Sequence, residues 1–352
     1  MMEFRTQGMN GYAVKYSPFF DSKIAVGAAA NFGLVGNGRV YVLNLTPRGI
    51  LAQQTWDTQD AVYDIAWSEK NENQMIAATG DGSVKLFDVS VPAGPVQQWH
   101  EHNREVYAVT WNLQTKDTFA SSSWDGTIRV YSPERPQAIL TLPTHSCTYS
   151  TQYSPHSPAV ISSVTSDSHL RIFDLRTPAS ASNHLVHLIP IHGQPPTQGP
   201  SYNPLRPRHP PSEALTHDWN KYRDTVVATA GVDQIIRTFD IRNPRSGPVA
   251  LLEGHKYAVR RITWSPHLSD TLLSASYDMT CRVWSDGSTM GHPTPQAPGQ
   301  LPVPGRQLGE MGGHTEFVTG VDWCLFGAEG WCASTAWDER LLVWDVRATM
   351  GP

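Results

Sequence analysis

Cysteine is scarce: Cys147, Cys281, Cys324 and Cys332 are the only four among 352 residues, and none forms a C-x-x-C pair. That argues against a disulfide frame or a zinc ribbon and predicts buried, reduced thiols in a cytosolic protein. A basic excess is missing too. Lys and Arg total 27 against 32 Asp and Glu, a formal net charge of −5, which disfavours nucleic acid or an anionic membrane as the main partner. No apolar run is long enough to span a bilayer, and the opening MMEFRTQGMN lacks the apolar stretch of a secretory signal, so no stable membrane insertion is expected. Catalytic motifs are absent as well: there is no G-x-S-x-G, no P-loop and no H-E-x-x-H. GLVGNG (33–38) is glycine-rich but lacks the G-x-G-x-x-G order of a phosphate cradle. His100 and His102 are two apart, but no nearby thiol or carboxylate completes a convincing metal set with them. The expectation is a protein that is not an enzyme and carries no cofactor or metal.

What the chain does contain is repetition. GDGSVKLFD (80–88), WDGTIRVYS (124–132), SDSHLRIFD (166–174), VDQIIRTFD (232–240), YDMTCRVWS (277–285) and WDERLLVWD (337–345) each place an Asp second and an aromatic six residues later. GNGRVYVLN (36–44) is a seventh copy, with Asn37 in the Asp position. An aromatic anchor stands upstream: Trp67, Trp111, Tyr153, Trp219 and Trp264 lie 14 residues before their Asp, Trp323 lies 15 before Asp338, and Tyr16 lies 21 before Asn37. A His precedes three anchors by nine residues, at His102, His255 and His314. Each unit therefore reads as three strands with a tight turn between the last two, plus a short fourth strand running into the next unit.

These anchors, with Phe-Asp or Trp-Asp at 87–88, 173–174, 239–240 and 344–345, resemble the WD40 family from end to end. The resemblance implies an all-β, seven-bladed WD40 β-propeller forming a single domain over residues 1–352. Stacking seven blades in a ring buries sheet faces that one blade cannot bury alone. Only seven residues follow Trp344-Asp345, so EFRTQ (3–7) is expected to supply the outer strand of blade seven and lock the ring. The Asp-to-Asp spacing, otherwise 42 to 45, stretches to 66 and 60 where Pro-rich insertions fall near 177–214 and 288–308. HLVHLIP within the first is expected to form a strand, and the rest to be mobile surface loop.

His102, Ser123 and Asp125 look like a hydrolase triad, yet the set recurs as His255, Ser276 and Asp278, and incompletely as His314 and Asp338. A catalytic site does not come in several copies around a ring, so these residues are read as a structural network tying each turn to its blade. In a propeller the loop bearing His102 and the turn bearing Asp125 share one rim. Residues beside these features are candidates for a peptide-binding surface: Asp60, Tyr63, Glu105, Tyr107, Trp124, Tyr149, Tyr257, Arg260, Glu316, Phe317 and Trp337. Three of seven turns carry a large aromatic before the Asp (Trp124, Tyr277, Trp337), where small polar residues are usual. Aromatics with carboxylates suit an amphipathic, basic segment.

NGYAVKYSPFFDSKIAVGAAANFGLVGNGRVYVLNL (10–45), AWSEKNENQ (66–74), EHNREVYAVTWN (101–112) and SSSWDGT (121–127) resemble peroxisomal import receptors for the type-2 targeting signal. The match departs at the Pro-rich segments and at NPLRPRHPP (203–211). The resemblance implies a soluble cytosolic receptor that shuttles to the peroxisome. It would bind matrix proteins such as thiolase by an N-terminal signal of Arg-Leu, five variable residues and His-Leu. It would then deliver them with an import co-receptor to the peroxisomal docking machinery. A rival reading comes from FDLR (173–176), FDIR (239–242) and WDVR (344–347), which resemble the motif by which some WD40 proteins dock on a cullin–RING ubiquitin ligase as substrate receptors.

Overall fold

In the computed structural model the described residues are all but 35, 179–181, 193–210, 289–301, 328 and 351–352. They form seven sheets of four antiparallel strands, one of which carries a fifth, parallel strand at its outer edge, and in each sheet one edge strand is innermost. Those innermost strands are Asn10–Tyr16, Val62–Trp67, Val106–Trp111, Thr148–Tyr153, Ala214–Trp219, Val259–Trp264 and Val318–Trp323. Every aromatic anchor is thus the last residue of an innermost strand. Each of these strands touches those of both neighbouring blades, and the first touches the seventh, so the ring is closed.

The core follows from that arrangement. Among the described residues the buried apolar side chains fall into eight clusters: seven lie one between each pair of adjacent blades, and a small eighth of Tyr12, Ala29 and Ala61 packs against Tyr63 and Trp337. The anchors stitch these seams: Trp67 Nε1–H donates to Lys15 O of blade one at 3.0 Å, and Trp323 Nε1–H donates to Thr263 O of blade six at 3.1 Å. Carboxylates on the innermost strands add backbone stitches. Asp218 accepts from Trp264 N at 2.7 Å, and Asp322 accepts from Tyr16 N at 2.9 Å.

Blade seven completes itself with the start of the chain. Met2–Arg5 pairs antiparallel with Arg340–Asp345, in register from Met2 opposite Val343 to Arg5 opposite Arg340. The expected closure by the N-terminal strand is observed.

The insertions behave differently from one another. Leu185–Pro190, the strand expected within HLVHLIP, is the outer strand of blade four. His192 O accepts from Ser212 N at 3.0 Å, so the two ends of the first insertion meet. The second insertion is partly built into the sheets, contrary to a wholly mobile loop. Val303–Pro304 runs parallel to Ala250–Leu252 as a fifth strand on blade five, and Arg306–Met311 is the outer strand of blade six. An outer strand needs only backbone partners on one side, so it tolerates the Gly- and Pro-rich sequence found here. NPLRPRHPP (203–211), apart from its last residue, lies outside the described residues.

Buried histidines make the fold sensitive to acid. His217 sits in the seam between blades four and five, where Ser162 Oγ bonds its Nε2 at 2.7 Å and accepts from Trp219 Nε1–H at 2.7 Å. Burial pushes the His217 imidazole down to about 3, and lowers His192 and His255 in the same direction. A depressed folded pKa means the unfolded chain takes up a proton that the folded chain refuses. That stability is complete above the unfolded value of about 6.5 and is lost as pH falls toward the folded value. For His217 the loss is about 2 kcal/mol between pH 7.5 and pH 5. Denaturant melts at the two pH values should show it, and a stability that stays constant would refute this account.

Candidate peptide-binding rim

The turn between second and third strands is built the same way in most blades. The residue after the Asp takes a left-handed φ, from 61° at Glu339 to 83° at Gly82, and Gly126 meets this need in SSSWDGT with φ 79°. His102 Nδ1–H donates to Asp125 Oδ2 at 2.8 Å, which brings the preceding loop and the turn to one face. A carboxylate only accepts, so Nδ1 carries the proton and Nε2 accepts. Its donor is Ser121 Oγ at 2.8 Å, not Ser123. The same correction holds in blade six, where Ser274 rather than Ser276 bonds His255 at 2.7 Å. In blade seven Ser334 completes the set with His314 and Asp338 at 2.8 Å. Residues two and four before the Asp share a strand face, and the imidazole reaches inward past the nearer one. Ser123 and Ser276 instead cap the turn, accepting from the N–H groups of Asp125 and Asp278 at 3.1 Å. Trp284 and Trp344 Nε1–H groups donate onto Ser274 and Ser334, extending the chain of bonds to the third strand.

A fourth copy was hidden in the first insertion: His192 Nδ1 bonds Asp233 at 2.9 Å, and its Nε2 bonds Thr229 Oγ1 at 3.1 Å. Burial opposes ionisation of Asp338, but the bond from His314 and its neighbours hold the carboxyl down at about 2. These buried imidazole–carboxylate pairs, repeated in four blades, are turn fasteners.

Above these fasteners, all seven innermost strands slip register by one residue near their start, leaving Tyr12, Tyr63, Tyr107, Tyr149, Leu215, Arg260 and Thr319 unpaired. A bulge re-aims its extra side chain, and here it feeds the mouth of the central channel. The turn aromatics arrive from the side, held by backbone bonds such as Trp124 N to Glu105 O at 3.1 Å and Trp337 N to Phe317 O at 3.0 Å. Tyr107 is the hub. Its ring lies parallel to Tyr63 at 4.8 Å and to Trp124 at 5.1 Å, and it meets Tyr149 edge-on at 5.5 Å. Tyr12 joins Tyr63 at 5.3 Å to Trp337 at 5.9 Å, and Phe317 links Trp337 at 5.2 Å to Tyr277 at 4.8 Å. One connected aromatic rim results.

Of the residues anticipated there, Tyr63, Tyr107, Trp124, Tyr149, Phe317 and Trp337 come together, all half-buried. Asp60 and Glu105 flank them. Burial raises the Tyr63 phenol, and Tyr107, Asp60 and Glu105 raise it further, so both carboxylates act on the same ring. Glu105 also lies 3.5 Å from Arg104, whose guanidinium is 5.7 Å from the Trp124 ring. Glu316 and Tyr257 are exposed on the same face. Arg260 differs from expectation: it is 2% exposed, and its guanidinium lies 4.9 Å from the Tyr107 ring centre, beneath the surface a ligand would meet. Its position on a bulge, not at a loop tip, buries it.

Sequence reasoning missed Tyr12, Phe32 and Glu213. Phe32 sits in the short 3-10 turn Ala30–Gly33 with φ 58° and packs 5.4 Å from Trp337. Tyr12 Oη donates to Phe32 O, and Phe32 N donates to Asn10 Oδ1, fastening this loop over the rim. The signal was the gap of 21 between Tyr16 and Asn37, which left residues to spare in that turn. Gly33 is required there, since a Cβ would lie 2.7 Å from Tyr12 Oη. Glu213 accepts from Tyr149 Oη at 3.1 Å, and its place at the end of the first insertion gave no cue.

A profile of the WD domain, G-beta repeat (WD40), matches residues 52–88, 93–132, 246–285 and 305–345. The peroxisomal targeting signal 2 receptor of Saccharomyces cerevisiae is 37% identical over 98% of this chain and 99% of its own length. The receptor of the same name from Komagataella phaffii is 38% identical over 99% of both chains, and that of Mus musculus 34% over 97% and 95%. Identity at this level over nearly whole chains, on a closed seven-bladed WD40 ring, makes this chain a member of the peroxisomal targeting signal 2 receptor family.

Proposed function

We propose that this protein binds the type-2 peroxisomal targeting signal at the aromatic rim. It takes up the signal-bearing matrix protein in the cytosol and delivers it, with a co-receptor, to the peroxisomal import machinery. The observation that carries the binding mode is the connected aromatic surface around Tyr107 with Asp60 and Glu105 beside it. A signal of Arg-Leu, five residues and His-Leu places its two pairs about two helical turns apart, roughly 10 Å, on one face. Its Arg would lie against Asp60 and Glu105, and its leucines against Trp124, Tyr107 and Tyr149. Glu316 and Glu213 offer acceptors for the imidazole, while Phe317, Trp337 and Tyr257 extend the surface. Arg260 would act from below by fixing Tyr107.

The test is titration of a fluorescent signal peptide with the full chain, with and without a co-receptor. Saturable binding that is lost when the peptide Arg or either Leu is changed to Asp supports the reading. Indifference to those changes refutes it.

For the ligase-docking alternative, Arg176, Arg242 and Arg347 each fold back onto the Asp two residues earlier, with N–O distances of 2.6, 2.5 and 2.6 Å. An arginine held this way closes its own turn, and no observation favours that second reading.

A further inference from the structure

The face opposite the rim is also unlike an ordinary solvated surface. It carries the loops between first and second strands, and from these Phe19, Phe20, Leu113, Leu268, Leu325 and Phe326 stand 36% to 46% exposed. Single exposed apolar residues are commonplace, but a group of them around one opening is not. Leu113 and Leu325, with Pro18, Pro155 and Pro266, line a cavity of about 280 Å³ at the mouth of the central channel. Phe19 lines an adjoining hollow beside Trp111, and Phe326 another beside Tyr16.

The charges at this mouth are nearly balanced. Arg261 pairs with Asp64 at 2.8 Å, Lys221 with Asp218 at 2.8 Å, and Lys15 with Asp322 at 3.6 Å. Glu69 remains over: it forms no ion pair among the described residues, and Lys116 is the one cation that acts on it. Burial raises its carboxyl, and Lys116 acts in the opposite direction.

We infer that this opposite face is a second docking surface, for an apolar segment of a partner protein bearing one lysine or arginine whose cation enters the mouth beside Glu69. The apolar loops supply contact area around a half-buried carboxylate, the arrangement expected of a core anchor ringed by water-excluding contacts. Two occupied faces would let the receptor hold a signal on one side and a second protein on the other. This inference does not depend on the rim reading.

The probe is a fluorescent dodecapeptide of leucine, phenylalanine and serine with one central arginine, compared with its glutamine and glutamate counterparts by anisotropy on the full chain. The arginine peptide should bind at least about fivefold tighter than the glutamate peptide, and Leu325→Asp should weaken it about tenfold. Glu69→Gln should cut the preference for arginine over glutamine to within about twofold. Leu113→Asp, on another blade, serves if Leu325→Asp fails to fold. Saturating signal peptide at the rim should leave the binding unchanged. Equal binding of arginine and glutamate peptides, displacement by the signal peptide, or no effect of either aspartate variant would overturn the proposal. So would a dimer in sedimentation that Leu325→Asp dissociates, since the occupant would then be a second copy of this chain.

Discussion

Removing residues 1–8 is expected to lower the melting temperature by about 7 °C. The deletion strips Met2–Arg5 from the edge of Arg340–Asp345, and with it the strand that belongs to blade seven yet leads directly into blade one. Met2 and Phe4 pack into the seam between those blades, Phe4 lies 6.0 Å from the Tyr41 ring, and Tyr41 Oη donates to Thr6 O at 2.7 Å. Gly8 N donates to Glu339, and Thr6 N to Glu339 O. Several backbone bonds at about 1 kcal/mol each, with two partly buried apolar side chains, come to about 5 kcal/mol. For a chain of this size that corresponds to the stated shift in melting temperature. The remaining edge also exposes unpaired backbone groups, so the truncated protein should aggregate on heating. Deleting Met1 alone, which is 78% exposed, should change nothing. A truncated chain that melts with the intact one would mean the ring is held closed elsewhere.

Changing Trp124 to alanine should weaken signal-peptide binding by about 30-fold or more, the scale of a truncated aromatic anchor. The ring is half-buried, parallel to Tyr107 and edge-on to Tyr149 at 5.8 Å, and its Nε1–H has no partner among the described residues. Because Trp124 packs on rim residues and lies outside the seven blade seams, its removal should cost the fold only a few degrees. Trp264→Ala supplies the contrast: that ring is 1% exposed within the seam of blades five and six, and its loss should unfold the chain. Glu105→Lys and Asp60→Lys should each reduce affinity about tenfold at low salt, with the effect shrinking as salt is added. Binding that stays within twofold in both lysine variants would remove the electrostatic part of the recognition. Global unfolding by Trp124→Ala would make that residue core.

Much of this molecule was legible in one dimension because much of it repeats. The anchor, the turn Asp and the aromatic after it recur at fixed spacing, since strand length and turn geometry set that spacing in every blade. Ring closure followed from a count: the last unit lacked an outer strand and the start of the chain had one to spare. The rim aromatics Tyr107 and Trp124 were visible as residues the fold did not demand.

What the spacing left open was which neighbour each side chain would meet. Ser121 and Ser123 occupy the same strand face, and only the depth reached by His102 from another loop selects between them. His192 joins Asp233 across 41 residues, over an insertion that hides the pairing. Arg260 looked like a rim contact until the bulge turned it under Tyr107, and Phe32 joins the rim only because Tyr12 and Asn10 fasten its loop down. Local backbone geometry repeats along the chain and can be read from it. Contacts between blades depend on the curvature of the closed ring, which no single repeat contains.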